Sequence, residues 1–391
     1  MLEREKMKKF FYMGRDRQFT EVELLEQTSY KRTIKFSDGT IKNVHPEGIA
    51  WGNIYPRLFK RDHKPSHVFY HHGRVMVNPV LEDFDLNAVP KAESYNFQPF
   101  LKDVIDSIHS HENVLLTGGT GVGKTTHILQ MASRIGQPVL RINFNGETRM
   151  SDLIGKVMVL NGETVWVDGV LPMAMRMGYW LLLDELDFAD PAVLSLLHPV
   201  LEEDPMLVLK ENSGEIVRPH ENFRLFATAN SIGAMSNRAQ AYAGTNEMNE
   251  AFLDRWQVVL VGNLPEKDEL KVVKAKVPGI PTAFAKKIVR FANVVRNNGI
   301  SGDFALKGDN FSTRKVLAWA RKAALHRDII IGAKLSWLDK LVEEEQEVVM
   351  RILTTHFGTG RRSRKVVNSK GRVIKMSKAS LAKKKPVRAV A

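Results

Sequence analysis

The sequence predicts an α/β fold: a parallel sheet between helices, with β-hairpin inserts, a helical domain after it, a small β-rich domain before it and a disordered basic tail at its end. Three observations predict it. Four glycines crowd into six positions between an apolar run and a helical stretch, in "LLTGGTGVGKTTH". Two further apolar runs, "YWLLLDELDFAD" and "FRLFATAN", end abruptly in polar residues, as buried parallel strands do. From about residue 266 the apolar period becomes helical, and residues 361–391 hold twelve Lys or Arg and no Asp or Glu.

Composition bounds the rest. The 391 residues are enough for two or three domains, and 43% hydrophobic residues allow a sizeable core. No run of 18 apolar residues occurs, so no transmembrane helix is expected, and the start "MLEREKMKKF" lacks an apolar signal core. The chain has no cysteine, which excludes disulfides, thiolate zinc sites and cysteine nucleophiles and suits a reducing cytoplasm. Of the 57 basic residues, removing the twelve of the tail leaves 45 against 44 acidic ones, so nearly all of the +13 net charge sits in the tail. Two readings of that tail stand equal: attachment to nucleic acid or another polyanion, and a solvated tail with no specific partner.

The chain divides into residues 1–90 (β-rich), 91–265 (α/β core), 266–358 (helical) and 359–391 (basic tail). In the first part, "RTIKFSDGTIKNV" alternates around Asp38-Gly39, a hairpin signal. His63, His67, His71 and His72 form no convincing metal pattern and read as surface residues. Residues 90–99 read as a linker. Residues 113–116 then read as a strand and 126–134 as a helix, and the turn between them fits the phosphate-loop pattern without a mismatch. Gly118, Gly119, Thr120, Gly121, Val122 and Gly123 would form a nest of backbone N–H groups at a helix N-terminus, which suits phosphate oxygens. Lys124 would reach the β- and γ-phosphates, Thr125 would give its hydroxyl to Mg²⁺, and Thr126 completes the cradle. The dinucleotide-binding register fails because position 124 is lysine.

"PVLRINFN" reads as the second strand. In "YWLLLDELDFAD" a buried strand ends in Asp184-Glu185, the Walker B pattern: Asp184 would help to hold Mg²⁺, mostly through water, and Glu185 would orient and activate the attacking water. "FRLFATAN" ends at Asn230, whose amide suits the lytic water or the γ-phosphate. Arg255 closes "EAFLDRW" ahead of the strand "QVVLV", a position open to an arginine finger or to an ordinary surface cation. In the helical part, Phe284, Ile288, Phe291, Ala292 and Val295 form one stripe. Ser312 is a good N-cap in "FSTRKVLAWAR", so Arg314 falls in a first turn where its charge gains nothing from the helix dipole, which points to a functional arginine.

Taken together, the phosphate loop, "LLLDE", "FATAN", "LDRW" and "STR" resemble the AAA+ ATPases in order and spacing. Within them the chain is similar to the MoxR-type group and to the ATPase subunit of aerobic cobaltochelatase (CobS-like), on "INFNGETRMSDLIGK", "DGVLPMAMRMG", "LLLDELDFADPAVLSLLHPVLEE" and "GTNEMNEAFLDRW". The likeness covers residues 97–264 well and the part to about 321 more loosely. It implies a P-loop AAA+ core with a helical lid, ATP and Mg²⁺ as ligands, and a homo-oligomeric, hexameric ring. It gives Asn230 the sensor 1 role, Arg314 the sensor 2 role and Arg255 the finger role on the neighbouring subunit, with Arg238 in "AMSNRAQ" as a second interface arginine.

Two hairpins, "VMVLNGETVWV" and "LVLKENSGEIV", fall at that group's insertion points, so the likeness puts them at a central channel; alone they would be surface hairpins. The expected function is ATP-driven remodelling of a partner protein; the resemblance implies a von Willebrand A-domain protein as that partner, in a metal-chelatase-like complex. The alternative is a DNA-associated motor anchored by the tail. The hairpins argue against it: residues 156–168 carry one basic and two acidic residues, and 210–218 two of each, whereas a channel that tracks phosphate should be basic.

Overall fold

The structure is a computed structural model. It describes residues 9–13, 19–27, 32–44, 49–50, 53–54, 58–61, 68–71, 74–77, 84–231, 246, 248–298, 311–357, 366–367 and 373–374. The chain forms two compact units, one of Met1–Val272 with Ser312–Arg314 and one of Val273–Phe311 with Lys315–Ala391.

The first unit begins with an antiparallel sheet of five strands in the order Ile41–Val44, Arg32–Lys35, Phe19–Gln27, Lys9–Met13 and Leu58–Arg61. The expected turn at Asp38-Gly39 joins two of them. Gly39 takes φ +85°, and the Asp38 carboxylate accepts the Thr40 N–H at 2.8 Å. A separate pair, Val68–His71 with Arg74–Val77, packs on the α/β core. Phe69 and Met76 are buried in one cluster with Leu101, Val104 and Ile105, and Arg74 forms an ion pair with Asp106 (Nη2 to Oδ2, 2.8 Å).

The core holds α1 (Leu101–His109), β1 (Val114–Thr117), α2 (Lys124–Ile135), β2 (Val139–Asn143), α3 (Val170–Met177), β3 (Trp180–Asp184), α4 (Pro191–Leu201), β4 (Arg224–Ala229) and β5 (Gln257–Leu260). The strands are all parallel, in the order β2-β3-β4-β1-β5. Helices cover both faces, which is why β1 and β3 are buried at every position. Side chains alternate between the faces. Leu115, Leu181, Leu183 and Leu225 pack with α3 and α4, while Val114, Leu116, Leu182 and Phe226 pack with α1 and α2. The helix after the glycine-rich turn starts at Lys124, two residues before the expected start, and stops at Gly136, a left-handed C-cap at φ +69°.

Both expected hairpins form. Gly155–Leu160 pairs with Glu163–Asp168 through a turn with Asn161 at φ +54° and Gly162 at +86°, the values a tight hairpin requires. Leu207–Leu209 pairs with Glu215–Val217. Arg176 of α3 bridges the two, bonding Asp168 Oδ2 at 2.9 Å and Glu215 Oε1 at 2.8 Å.

The second unit is helical: α5 (Thr282–Asn298), the body of α6 (Thr313–His326), α7 (Ile329–Ser336) and α8 (Glu343–Phe357). The expected stripe on α5 is its core face. Ile288, Phe291, Ala292 and Val295 are buried, and Phe284 is half-buried. Phe291 meets Trp319 edge-on at 5.5 Å between centroids, and Trp319 meets Trp337 at 5.7 Å. Of the basic tail, the described residues are Val366–Val367 and Val373–Ile374, paired antiparallel.

Candidate functional site

The site forms where β1, β3 and β4 end, the edge at which open parallel sheets bind ligands. The loop leaves β1 between its neighbours: Gly118 N–H donates to Ala229 O at 3.3 Å, and Val261 N–H donates to Thr117 O at 2.7 Å. A Cβ on Gly118 would lie 2.2 Å from Val261 O, so no larger residue fits there unless backbone moves. Gly121 and Gly123 sit at φ +77° and +102°, which glycine adopts without strain. Gly118→Ala is expected to displace the loop, destabilise the chain by about 1–3 kcal/mol and weaken nucleotide binding about tenfold or more. A denaturant melt and titration with a fluorescent ATP analogue check both effects.

Lys124 is buried, and its ammonium uses all three protons: to Gly118 O (2.7 Å), Gly119 O (3.1 Å) and Asn230 Oδ1 (3.0 Å). Burial lowers its pKa to about 8, against the opposing charges of Asp187, Asp184 and Glu185. Asn230 Oδ1 also accepts from Thr120 at 3.4 Å. The loop, the lysine and the expected sensor amide are thus one bonded cluster.

Asp184 Oδ1 accepts the Thr125 hydroxyl at 2.7 Å and the Thr228 hydroxyl. Arg141 grips Oδ2 with Nε (3.0 Å) and Nη2. Burial pushes this carboxyl up, but the bonds from Thr228 and Thr125 and the Arg141 charge outweigh it and hold the group below the usual carboxylate range. An ionised carboxylate beside a hydroxyl is the hard-oxygen set that Mg²⁺ takes next to phosphates, so these residues fit that ion. Glu185 follows in a left-handed conformation at φ +57°, rare for a non-glycine residue, with its N–H bonded to Thr228 Oγ1 at 3.1 Å.

The two arginines sit differently. A Cβ on Gly121 would lie 2.7 Å from Ser312 Oγ and 3.1 Å from Arg314 Cβ, so the start of α6 abuts the phosphate loop. Arg255 follows the helix Glu250–Leu253. The register pairs Val114 with Gln257, so Arg255 lies at the sheet edge opposite to the loop that leaves Thr117, about 10 Å of strand away. There it bonds Glu202 Oε1 from Nε (3.0 Å) and Nη2 (2.7 Å). Arg238 lies outside the described residues, as do His63, His67, His72 and the side chain of His71. Among the described residues no group of three or more His, Cys, Asp or Glu is placed to hold a metal, and no helix is long and apolar enough to cross a membrane.

Sequence reasoning missed several residues. Asp187 is buried, and its Oδ2 accepts the N–H groups of Asn230 (3.0 Å) and Ser231 (3.3 Å), which fixes the strand end carrying Asn230. Burial raises its pKa. Thr228 shares the face of Asn230 by strand alternation, and that spacing was a usable signal. The segment expected as a linker is anchored to α2. Gln130 bonds Glu93 N–H (2.8 Å) and Lys91 O (3.0 Å), and Arg134 bonds Glu93 O. The Tyr95 hydroxyl lies 2.6 Å from His127 Nδ1, which lies 2.7 Å from Gly123 O. Burial raises the Tyr95 pKa.

Comparison with known proteins agrees with this geometry. Residues 113–256 match the model of the AAA domain (dynein-related subfamily). The chain is 35% identical over 257 residues to the aerobic cobaltochelatase subunit CobS of Sinorhizobium sp, covering 63% of this chain and 76% of CobS. It is 32% identical over 213 residues to the midasin of Dictyostelium discoideum, covering 53% of this chain and 4% of that protein. It is 29% identical over 202 residues to the gas vesicle ATPase GvpN of Haloferax mediterranei (strain ATCC 33500), covering 47% of this chain and 56% of GvpN.

Proposed function

Because the chain belongs to the MoxR-type AAA+ ATPases, similar to CobS, we propose that it hydrolyses ATP in a hexameric ring and uses the cycle to remodel a partner protein. The observation that most supports this is the pairing of Lys124 with Asn230 and of Thr125 with Asp184 at a phosphate-loop turn. The nest of loop N–H groups receives the phosphates, and Lys124 exchanges its carbonyl partners for phosphate oxygens. Thr125 and Asp184 would hold Mg²⁺, which would supply charge neutralisation for phosphoryl transfer. Glu185 takes a proton from the attacking water, Asn230 aligns that water or the γ-phosphate, and Arg314, beside the phosphate loop, contacts the γ-phosphate. Arg255 reaches the ATP of the neighbouring subunit.

The partner we favour is a von Willebrand A-domain protein, in a complex of the kind the name of CobS denotes. Residues 1–90 recognise it, the core of residues 91–265 binds the nucleotide, and the two hairpins transmit the change. The test is a pull-down with a Glu185→Gln trap, alongside phosphate release. ATP turnover and a recovered A-domain protein support the reading. No turnover under any assembly condition sinks the ATPase, and recovered DNA in place of a protein sinks the partner assignment.

A further inference from the structure

We propose that Arg141 is a positioning residue that occupies Asp184 while no divalent cation is bound and yields when one arrives, so that it sets the metal affinity of the site. This rests on the ATPase reading above. Asp184 has no free acceptor position. Thr125 and Thr228 fill Oδ1, and two guanidinium N–H groups fill Oδ2. A hydrated cation must donate its water protons to this carboxylate, so a present bond must open.

The three partners differ in freedom. Thr228 is buried and also accepts the Glu185 N–H, so it is held from both sides. Thr125 offers its oxygen to a metal while it continues to donate its proton. Arg141 reaches across from β2, one strand over, and its side chain is 48% exposed, so water can replace its bonds when it swings away. Its charge adds a second reason. A guanidinium within a few ångströms of a doubly charged cation opposes that cation by direct repulsion. The same fork holds Oδ2 while Thr125 and Thr228 hold Oδ1, so the carboxylate is already aimed at Thr125 when a metal nucleotide arrives.

The experiment uses the full chain with a non-hydrolysable ATP analogue and Mn²⁺ as probe, read by electron paramagnetic resonance. R141Q and R141M remove the charge, and R141K keeps it without the fork. The neutral variants are expected to bind Mn²⁺ about tenfold more tightly than the parent, with metal-free nucleotide affinity within about twofold, because the repulsion is gone. R141K is expected to stay near the parent. Unchanged or weaker Mn²⁺ binding in both neutral variants, or R141K as tight as they are, overturns the proposal. A parent chain that binds Mn²⁺ no better with the nucleotide than without it overturns the ATPase reading as well, which separates the two failures.

Discussion

Glu185→Gln is expected to leave ATP bound and unhydrolysed, with phosphate release reduced about 10²- to 10⁴-fold, the range general-base loss commonly gives. Glu185 ends the Walker B strand in a left-handed turn that its N–H fixes on Thr228. It makes neither the Lys124–Asn230 bond nor the Thr125–Asp184 bond, so the amide disturbs the base and spares the phosphate cradle. Lys124→Ala should fail in another way. Lys124 holds two loop carbonyls and Asn230, and it supplies the charge that meets the phosphates, so its loss should weaken binding and turnover together. Fluorescent nucleotide binding beside phosphate release separates the two variants. Normal turnover in Glu185→Gln would remove the general-base assignment, and unaltered binding in Lys124→Ala would remove the phosphate role.

The parts that were legible in the sequence are those where local chemistry leaves few choices. A phosphate loop needs glycine at set places because backbone approaches backbone, as Gly118 does with Val261. A strand buried on both faces must be apolar until it ends, so Asp184 and Asn230 announce strand ends. The hairpins follow from Asn161-Gly162 and from Gly214 at φ +74°. What was not legible depends on pairing between distant segments. Arg141 looks like an interruption of a strand until β2 is laid beside β3 and its guanidinium meets Asp184. Asp187 reads as one more acid after Walker B until β4 brings the Asn230 N–H to it. Residues 91–97 read as a linker because His127, Gln130 and Arg134, which hold them, lie on α2, more than thirty positions on. The Val68–His71 and Arg74–Val77 pair shows the same limit, since only the fold reveals that Phe69 and Met76 complete the core.

Arg255→Ala is expected to bind ATP nearly as the parent does and to hydrolyse it about 10³- to 10⁵-fold more slowly, the contribution an arginine finger makes by stabilising charge on the transferred phosphoryl group. The register of β5 places Arg255 at the sheet edge away from its own phosphate loop, so a catalytic role must be played on another subunit. In the single chain it is held by Glu202, whose carboxylate is half exposed, so that contact is a weak surface pair and gives up the guanidinium at little cost when a subunit docks. Mixing gives the decisive measurement. Glu185→Gln and Arg255→Ala subunits are each inactive alone. In a mixed ring, a subunit with intact Glu185 can meet a neighbour with intact Arg255, so partial activity should return once labelled subunits confirm exchange. No recovery in verified mixed rings means that Arg255 does not act across the boundary or that turnover requires every site. A full ATPase rate from a chain that stays monomeric at every concentration would remove the ring itself.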